Sequence, residues 1–169
     1  KGKTTLRHVA KIEEVNRILE VLNSIGVKTK WLNDSNDLEI IPPNELNFEN
    51  MNVDSAKRTR SILMFFGPLL HQYSNFKIPF SGGCNLGTRT VEPHLAGLKN
   101  FGANIVAETD YYDVINKPRK VEKAILLTER GDTTTENIIM AAALSGQKIT
   151  IRNASPNYMV QDLCFFLEK

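Results

Sequence analysis

An internal repeat constrains the fold of this chain more than any other feature of its sequence. The segment that begins at Thr5 aligns without a gap with the segment that begins at Thr150, and the alignment pairs Arg7 with Arg152, Val15 with Val160 and Ile18 with Leu163. The middle of the chain follows the same plan, with two further matched pairs: Leu22 with Leu98, and Gly26 with Gly102. Because repeats of this length bury their apolar faces against their neighbours, we expect one body with a pseudo-threefold axis.

Hydrophobic periodicity predicts the elements of each copy. Helical spacing of apolar residues predicts helices over residues 12–25, 56–66, 91–101, 133–144 and from 160 onward. Alternation and turn residues predict strands over residues 4–9, 27–31, 38–41, 76–80, 103–107, 111–115, 121–127 and 148–152. Asp54 or Ser55 is the expected cap of the second helix. Thr133 and Glu136 form a capping-box pattern at the start of the fourth helix.

Three copies of a strand, a helix, a strand pair and a linking helix account for this order. The copies span about residues 1–53, 54–130 and 131–169 of one incomplete domain, and the third copy lacks its closing strands. The sequence therefore predicts an α/β (α+β) fold. We expect the chain to be a fragment of a longer protein.

The composition is that of an ordinary globular domain, and its charges nearly balance at +2. Acidic and basic residues are interspersed, which argues against nucleic acid and against a membrane surface as partners. The most apolar run, residues 61–70, is about half of the roughly 20 residues that a bilayer-spanning helix needs. Cys84 and Cys164 form no metal-ligand spacing, so no metal is expected, and a reducing cytosol is the simplest location.

The chemistry of the chain is concentrated in the segment SGGCNLGTRTVEPH, from Ser81 to His94. Its glycines surround Cys84, Arg89 follows five residues later, and a predicted helix begins just behind them. A thiol, a guanidinium and helical amide groups together suit the binding of an anion and chemistry on it. The alternative is an ordinary strand-to-helix turn in which the glycines supply positive φ angles and Cys84 only packs.

A second group of bases lies earlier in the chain. Lys57, Arg58 and Arg60 fall in the first turns of the predicted second helix, where positive charge opposes the helix dipole. A bound anion would relieve this conflict. Solvated side chains on an exposed turn are the simpler explanation for Lys57 and Arg58 taken singly.

Two segments carry a resemblance to a known family. The first is RSILMFFGPLL from Arg60, where the family has R-x-S-x-x-x-x-G-P-L; the second is SGGCNLGTRTVEPHLAGLKNFGANI from Ser81, where it has P-G-G-C-x-I-G-x-R-P-V-D-x-H. The distance between the arginine and the cysteine is also the same. The chain thus resembles the enolpyruvyl transferases. The Gly-Gly-Cys loop favours the branch that acts on UDP-N-acetylglucosamine over the shikimate-pathway branch.

This resemblance implies both a fold and a reaction. It implies a two-domain protein whose domains each contain three βαβαββ-type units, with helices inside and sheets outside in an alpha-beta prism. This chain would be most of the domain that bears the cysteine loop, and its partner domain would come from the same parent chain. The family transfers the enolpyruvyl group of phosphoenolpyruvate to the 3'-hydroxyl of UDP-N-acetylglucosamine and releases phosphate, which begins peptidoglycan precursor synthesis. No cofactor is implied.

The resemblance also implies roles for individual residues. Cys84 resembles the cysteine that acts as general acid and can hold the enolpyruvyl group covalently. Arg89 would favour the thiolate and clamp a phosphate or carboxylate, and Arg60 resembles an arginine of the cleft. The remaining implied substrate contacts are Met64, the uridine-pocket residues Thr90, Val91, Glu92 and Pro93, and, at the uracil and diphosphate end, Asp132, Thr133 and Thr134.

The chain departs from the family at several of these positions. Thr90 replaces a proline, Glu92 replaces an aspartate, and Met64 stands where many members have tryptophan. The segment RGDTTTEN, which begins at Arg130, replaces a shorter loop of the type S-V-G-A-T. These changes weaken the implied nucleotide contacts more than the implied catalysis, and they leave room for a modified acceptor sugar.

Three further residues are expected to be structural. His94 follows the loop on an apolar stripe and is expected to be a buried hydrogen-bonding residue. Cys164 lies beside two phenylalanines on an apolar helix and is expected to be a core cysteine. Glu136 is expected to be a helix cap, with a role as a carboxylate base the less favoured alternative.

Two hypotheses of different class follow. The first is an enzyme fragment, inactive alone because it lacks the family's N-terminal Lys-Asn pair, the aspartate base and an arginine from the partner domain. The second is a non-catalytic paralogue that binds UDP-sugars. The residues that line the opposite wall of the cleft discriminate between them.

Overall fold

The computed structural model of the chain describes residues 2–32, 36–81 and 90–169. These residues form two compact units. The first unit contains the described residues up to Ile62 together with 79–81, and the second contains residues 63–78 and 90–169. Each unit has its own buried apolar residues, such as Val21 and Ile25 in the first, and Phe66 and Ile138 in the second.

The first unit contains a helix and a three-stranded antiparallel sheet. Its elements are β1 (Thr4–Leu6), α1 (Glu13–Ser24), β2 (Lys28–Trp31) and β3 (Leu38–Ile41). β3 lies between β1 and β2, with Thr5 opposite Glu39 and Trp31 opposite Leu38. The predicted bounds of β2, β3 and α1 are confirmed to within about one residue, whereas β1 is shorter than predicted.

The sequence of α1 explains its position. Glu13 and Glu14 lie in the first turn, where negative charge favours the helix dipole. The apolar stripe is directed inward, because Leu19 and Val21 are buried. Gly26 follows the last turn with a φ of +100°, a left-handed conformation that favours glycine, and this ends the helix where the sequence predicts.

The second predicted helix is divided, and its predicted cap is wrong. The side-chain oxygen of Asn52 accepts the Ser55 N–H at 3.0 Å and so caps α2 (Val53–Lys57), which neither Asp54 nor Ser55 does. A 3₁₀ helix follows over Arg60–Phe65. Lys57 and Arg58 therefore lie at the C-terminal end of α2, where positive charge favours the dipole. The dipole conflict inferred from the sequence does not exist for these two residues.

The remaining elements belong to the second unit, apart from the last residue of β4. They are α3 (Phe66–Leu69), β4 (Asn75–Pro79), α4 (Glu92–Leu98), β5 (Ala103–Ala107), β6 (Tyr111–Asn116), β7 (Ile125–Leu126), α5 (Asp132–Ala143), β8 (Ile151–Arg152) and α6 (Tyr158–Leu167). β6 lies between β4 and β5 and is antiparallel to β5, while β7 and β8 pair in parallel. Short 3₁₀ helices over Phe48–Asn50 and Lys99–Phe101 complete the described chain.

α5 is the helix around which the second unit packs, because it contacts α3, α4 and α6. Two glycines allow the close approach. A Cβ atom on Gly67 of α3 would lie 2.3 Å from the backbone oxygen of Asn137, and one on Gly97 of α4 would lie 2.5 Å from Cδ1 of Ile138. The helices are therefore closer together than any larger residue at these positions would allow.

The predicted capping box at α5 is wrong. The helix begins at Asp132 with Gly131 as its N-cap, so Thr133 lies within the first turn and Glu136 within the second. The neighbouring Thr135 hydroxyl donates to the Gly131 carbonyl at 2.8 Å and accepts the Ser155 N–H at 3.0 Å. Thr135 therefore forms one hydrogen bond within α5 and a second one to Ser155, outside the helix.

The order of elements repeats along the described chain. β1-α1-β2-β3 and β4-α4-β5-β6 have the same order, and in both sheets the last strand lies between the other two. α1 and α6 begin at Glu13 and Tyr158, which are matched residues of the ungapped alignment. The pseudo-threefold arrangement of the copies stays a prediction. Among the described helices, none is long and apolar enough to cross a membrane.

The C-terminal helix α6 is less buried than expected. Val160 is its buried residue, whereas Tyr158 and Phe165 are 70% and 60% exposed. Cys164 is half-buried, so the expected core cysteine is instead a partly accessible thiol.

Candidate functional site

The structure describes the two ends of the glycine-rich segment, Ser81 and residues 90–94, and not the reactive groups between them. Cys84 and Arg89, the predicted catalytic pair, lie outside the described residues, as do the glycines around them. Ser81 is half-buried where the chain leaves β4, and Thr90 is exposed where it approaches α4. The predicted site residues that the structure describes are Arg60 in the first unit, and Met64 and the stretches 90–93 and 132–134 in the second.

One carboxylate of α1 holds the segment that carries Arg60. Glu14 accepts hydrogen bonds from the hydroxyls of Thr59 and Ser61, the two neighbours of Arg60. Thr59 is fully buried, and its hydroxyl also accepts the Ser61 N–H at 3.1 Å. Arg60 itself is half-buried. The backbone around this guanidinium is thus fixed from both sides within the first unit.

A second carboxylate of α1 holds the preceding turn. Glu20 accepts from the Ser55 hydroxyl and from Nη1 of Arg17, the latter at 2.7 Å. The hydrogen bond from Ser55 lowers the pKa of Glu20, and the bond from Arg17 adds a smaller contribution in the same direction. α1 therefore anchors both α2 and the Arg60 segment through two glutamate side chains.

The predicted uridine-pocket stretch forms the start of α4. The Thr90 hydroxyl accepts the Glu92 N–H at 3.1 Å, and Pro93 sits in the first turn, where its missing N–H costs no hydrogen bond. Thr90 and Glu92 are exposed, Val91 is half-buried and Pro93 is buried. Thr90 and Glu92 therefore have the most exposed side chains of this stretch.

The second predicted nucleotide stretch forms the start of α5. One carboxylate oxygen of Asp132 accepts from the Ser155 hydroxyl at 2.5 Å, and the other accepts from Nδ2 of Asn157 at 2.8 Å. Thr133 is exposed, whereas Thr134 is fully buried with its hydroxyl 3.4 Å from Oε1 of Glu129. Asp132 is thus held in place by the chain that precedes α6.

Glu136 lies one turn further along α5. Burial raises the pKa of its carboxyl, and the neighbouring Asp132 carboxylate raises the pKa further. A carboxyl with a raised pKa takes up a proton more readily than an ordinary glutamate.

A buried polar cluster joins three elements behind these stretches. Oδ1 of Asn137 accepts the Gly67 N–H at 2.7 Å, and its Nδ2 donates to the Leu63 carbonyl at 2.8 Å. These backbone partners fix the orientation of the amide, so Nδ2 donates its second hydrogen to Nδ1 of His94, 3.1 Å away. Nδ1 therefore accepts, and the neutral ring carries its proton on Nε2. The expectation that His94 is a buried hydrogen-bonding residue is confirmed, since it is 2% exposed.

This cluster positions the site stretches of the second unit. Met64 is half-buried and directly follows Leu63, which binds Asn137. His94 directly follows the stretch 90–93, and Asn137 lies on α5 behind the stretch 132–134. The three stretches are therefore attached to one network.

A family model described as EPSP synthase (3-phosphoshikimate 1-carboxyvinyltransferase) matches residues 1–169, which is the whole chain. The chain belongs to the EPSP synthase family. The resemblance to the enolpyruvyl transferases that the two sequence motifs carry is thus confirmed.

Two relatives of the chain have the same enzyme name. A UDP-N-acetylglucosamine 1-carboxyvinyltransferase of Prochlorococcus marinus (strain MIT 9301) is 31% identical over 170 residues, which cover 99% of this chain and 37% of the relative. The enzyme of that name from Idiomarina loihiensis is 34% identical over 165 residues, which cover 98% of this chain and 39% of the relative. The chain therefore spans about two-fifths of the length of these relatives.

A solved structure of an enolpyruvyl transferase has a similar fold. The enolpyruvyl transferase NikO from Streptomyces tendae superposes with a TM-score of 0.79 at 12% sequence identity, over 99% of this chain and 39% of that one. This likeness supports the mixed α/β architecture of the chain.

The residues that hold the predicted site residues in place could not be identified from the sequence. Glu14, Asn137, Ser155 and Asn157 make the supporting hydrogen bonds, but each is an ordinary residue of a helix or loop in the sequence. Of these four, only Asn137 has a local signal, because a buried asparagine on an apolar helix needs a partner. The identity of that partner could not have been read from the sequence.

Proposed function

We propose that the full-length protein transfers the enolpyruvyl group of phosphoenolpyruvate to the 3'-hydroxyl of UDP-N-acetylglucosamine and releases phosphate. The observation that carries this proposal is the match of the whole chain to relatives with this enzyme's name, together with the Gly-Gly-Cys loop and the Arg60 segment. The cytosol, where its nucleotide-sugar substrate would be met, and peptidoglycan synthesis are the expected setting.

The residues of this chain would act on phosphoenolpyruvate. Cys84 would deliver a proton to the methylene carbon while the sugar hydroxyl, losing its own proton to a base, forms a bond to C2. The tetrahedral intermediate would then lose phosphate from C2 and a proton from the methyl group, which restores the double bond. Arg60 and Arg89 would bind the phosphate through their planar guanidinium groups.

The geometry supports this role for Arg60. Glu14 fixes the residues on both sides of it, so the guanidinium would be presented to an anion with little loss of backbone freedom. Met64, Thr90, Val91, Glu92, Pro93, Asp132, Thr133 and Thr134 are proposed to contact the nucleotide. The base for the sugar hydroxyl would come from the partner domain of the parent chain.

Fosfomycin labelling tests the proposal, because the cysteine of this family opens its epoxide. We expect the full-length protein to gain the mass of one fosfomycin molecule, and UDP-N-acetylglucosamine to accelerate the gain. Cys84→Ala should abolish labelling. The half-buried Cys164 is the matched control, so Cys164→Ala should label like the wild type. Labelling at Cys164 would show that the assignment of the reactive thiol is wrong.

A transferase with a different acceptor is the second candidate. Its support is local: Thr90, Glu92 and Met64 differ from the family motif, and both oxygens of Asp132 are already bonded to Ser155 and Asn157. Phosphate release from phosphoenolpyruvate, measured with a panel of UDP-sugars, distinguishes the two. Release that requires another sugar supports the second candidate, and labelling of Cys84 without release for any sugar supports a binding paralogue.

A further inference from the structure

Although the charges of the whole chain nearly balance, one segment is strongly basic. Four of the seven residues from Lys117 to Lys123 are basic, and one, Glu122, is acidic. The four bases, Lys117, Arg119, Lys120 and Lys123, are all exposed. None of these four bases forms an ion pair with another residue that the structure describes. The segment follows β6 and lies outside every stretch assigned above to the transferase site.

The backbone of this segment is fixed, and so is one of its guanidinium groups. The Lys117 N–H donates to the Gly102 carbonyl at 3.1 Å, and the Arg119 N–H donates to the Phe101 carbonyl at 3.2 Å. The Arg119 side chain donates from Nη2 to the Lys99 carbonyl at 2.7 Å and from Nε to the Asn100 carbonyl at 3.2 Å. Its Nη1 makes no hydrogen bond to the described residues. One edge of a positioned guanidinium is therefore available to a ligand.

Two cavities of the second unit share Arg119 and Lys120 in their walls. The first has a volume of about 330 Å³ and the second about 370 Å³. Volumes of this size suit small ligands. The two basic side chains thus border both cavities.

The residues that line the two cavities are of different types. The residues with apolar side chains in the wall of the first cavity are Leu70, Phe101, Pro118, Ala141 and Leu144. Its polar residues include His71, Ser145, Gln147 and Asn116. Asn116 is 5% exposed, and its Oδ1 has no hydrogen-bond partner among the described residues. The second cavity has one residue with an apolar side chain, Val121, and Asn100, Glu122 and Lys123 lie beside the shared bases.

We propose that this surface binds a small phosphate monoester, with the phosphate on Arg119 and Lys120 and the organic group in the first cavity. A phosphate monoester carries a charge of about −1.5 to −2 at neutral pH, which matches two adjacent bases better than a single carboxylate does. Arg119 offers a planar donor edge, and Lys120 a mobile positive charge. The apolar wall fits a ring or short aliphatic group. This site is independent of the proposed transferase function.

Titration with phenyl phosphate tests the site in the full-length protein. Side-chain amide signals of Gln147 and Asn116 in two-dimensional NMR spectra report on the first cavity and are insensitive to binding in the transferase cleft. We expect phenyl phosphate to shift both signals, and Lys120→Gln to weaken that binding about tenfold, which is the effect of losing one charge-assisted contact. Lys28→Gln, which removes an exposed base of the first unit, is the matched control and should leave it unchanged.

A second comparison tests the organic half of the ligand. Phenyl phosphate should bind more tightly than inorganic phosphate, and Leu144→Ala should remove that preference; Leu144 is 77% exposed, so the variant should fold. Equal binding of the two probes in the wild-type protein would overturn the monoester assignment. Unchanged binding in Lys120→Gln would overturn the site itself. Tighter binding of an oligonucleotide or an anionic vesicle at these residues would overturn the small-molecule assignment. Fosfomycin labelling of Lys120→Gln should match the wild type whichever result is found.

Discussion

Asn137 uses its amide oxygen and both amide hydrogens inside the second unit. Its partners, the Gly67 N–H, the Leu63 carbonyl and Nδ1 of His94, are buried with it. A buried polar group without a partner costs more free energy than a hydrogen bond contributes, so this cluster is stable only when complete. The packing of the second unit therefore depends on the uncharged amide of one residue, Asn137.

Replacing Asn137 tests this dependence. Asn137→Ala removes the hydrogen bonds of the amide to three buried groups, and we expect the free energy of unfolding to fall by about 2–4 kcal/mol. Urea unfolding of the full-length protein measures it. Asn104→Ala, at an exposed position of β5, should change stability by less than about 0.5 kcal/mol. A loss below about 1 kcal/mol for Asn137→Ala would contradict the role given to the cluster.

For Glu136, in contrast to Asn137, we expect a substitution to stabilise the folded protein. Its pKa in the folded protein is raised above the ordinary value of 4.5, so its ionised form is less stable in the fold than in the unfolded chain. The resulting destabilisation is present above the folded-state pKa and disappears as the pH falls below the ordinary value. Glu136→Gln should therefore raise the stability at pH 7, by about 0.5 kcal/mol after solvent screening, and have no such effect at pH 3.

Thermal unfolding at the two pH values measures this difference. Glu108→Gln changes an exposed carboxylate of the same unit and is the matched control, with no gain expected at pH 7. A gain for Glu136→Gln that is equal at both pH values would mean that packing, and not ionisation, is responsible.

At the scale of elements, the helices of the second unit are held close by small residues. In the sequence, glycine precedes proline in α3, which indicates a break in the helix. In the structure, a glycine is needed at position 67 because α5 packs closely against it. Its position is set by the backbone of α5, which leaves no room for a Cβ atom. Gly97 meets the flexible end of the Ile138 side chain instead. The two contacts have similar distances. The Ile138 side chain can change its rotamer, whereas the backbone of α5 can give way only if the helix moves.

The two glycines should therefore respond differently to alanine. Gly67→Ala requires α3 and α5 to separate and should cost about 3 kcal/mol, near the upper end for overpacking. Gly97→Ala requires only a rotamer change of Ile138 and should cost about 1 kcal/mol. Urea unfolding of both variants gives the order. Equal costs, or the reverse order, would show that the α3–α5 contact is not as rigid as described.

At the scale of the whole molecule, the repeat of strand order is the main regularity. In both three-stranded sheets the last strand of the copy is central, so β3 and β6 form hydrogen bonds on two sides while β2 and β5 lie at edges. Backbone amides of central strands open less readily than those of edges. The two copies should therefore share one pattern of protection, although their sequences differ.

Hydrogen exchange of the full-length protein measures this pattern. Peptides that cover Leu38–Ile41 and Tyr111–Asn116 should exchange more slowly than peptides that cover Lys28–Trp31 and Ala103–Ala107. Protection that follows this order in one sheet and the reverse order in the other would contradict the equivalence of the copies.

The family, the order of the elements and the bounds of α1, β3 and β5 could be predicted from the sequence, whereas the strands predicted over residues 121–127 and 148–152 are reduced to β7 and β8, of two residues each. Periodicity identified α1, and Gly26 and Gly102 marked two helix ends, because these signals depend on neighbours within a few residues. The residues from Arg60 and from Ser81 carried the resemblance without any structure. Such local signals are complete within the sequence, and so they could be read directly.

The helix caps, the division of the second helix and the contacts that hold the predicted site residues depend on tertiary packing. Asn137 binds Leu63 across 74 residues, Thr59 binds Glu14 across 45, and Asp132 binds Ser155 across 23. A hydroxyl, amide or carboxylate has many possible partners in an unfolded chain, and only the packing of helices and strands selects one. The chemistry of this protein could therefore be inferred from its residues, whereas the positioning of its site residues depends on contacts that only the fold creates.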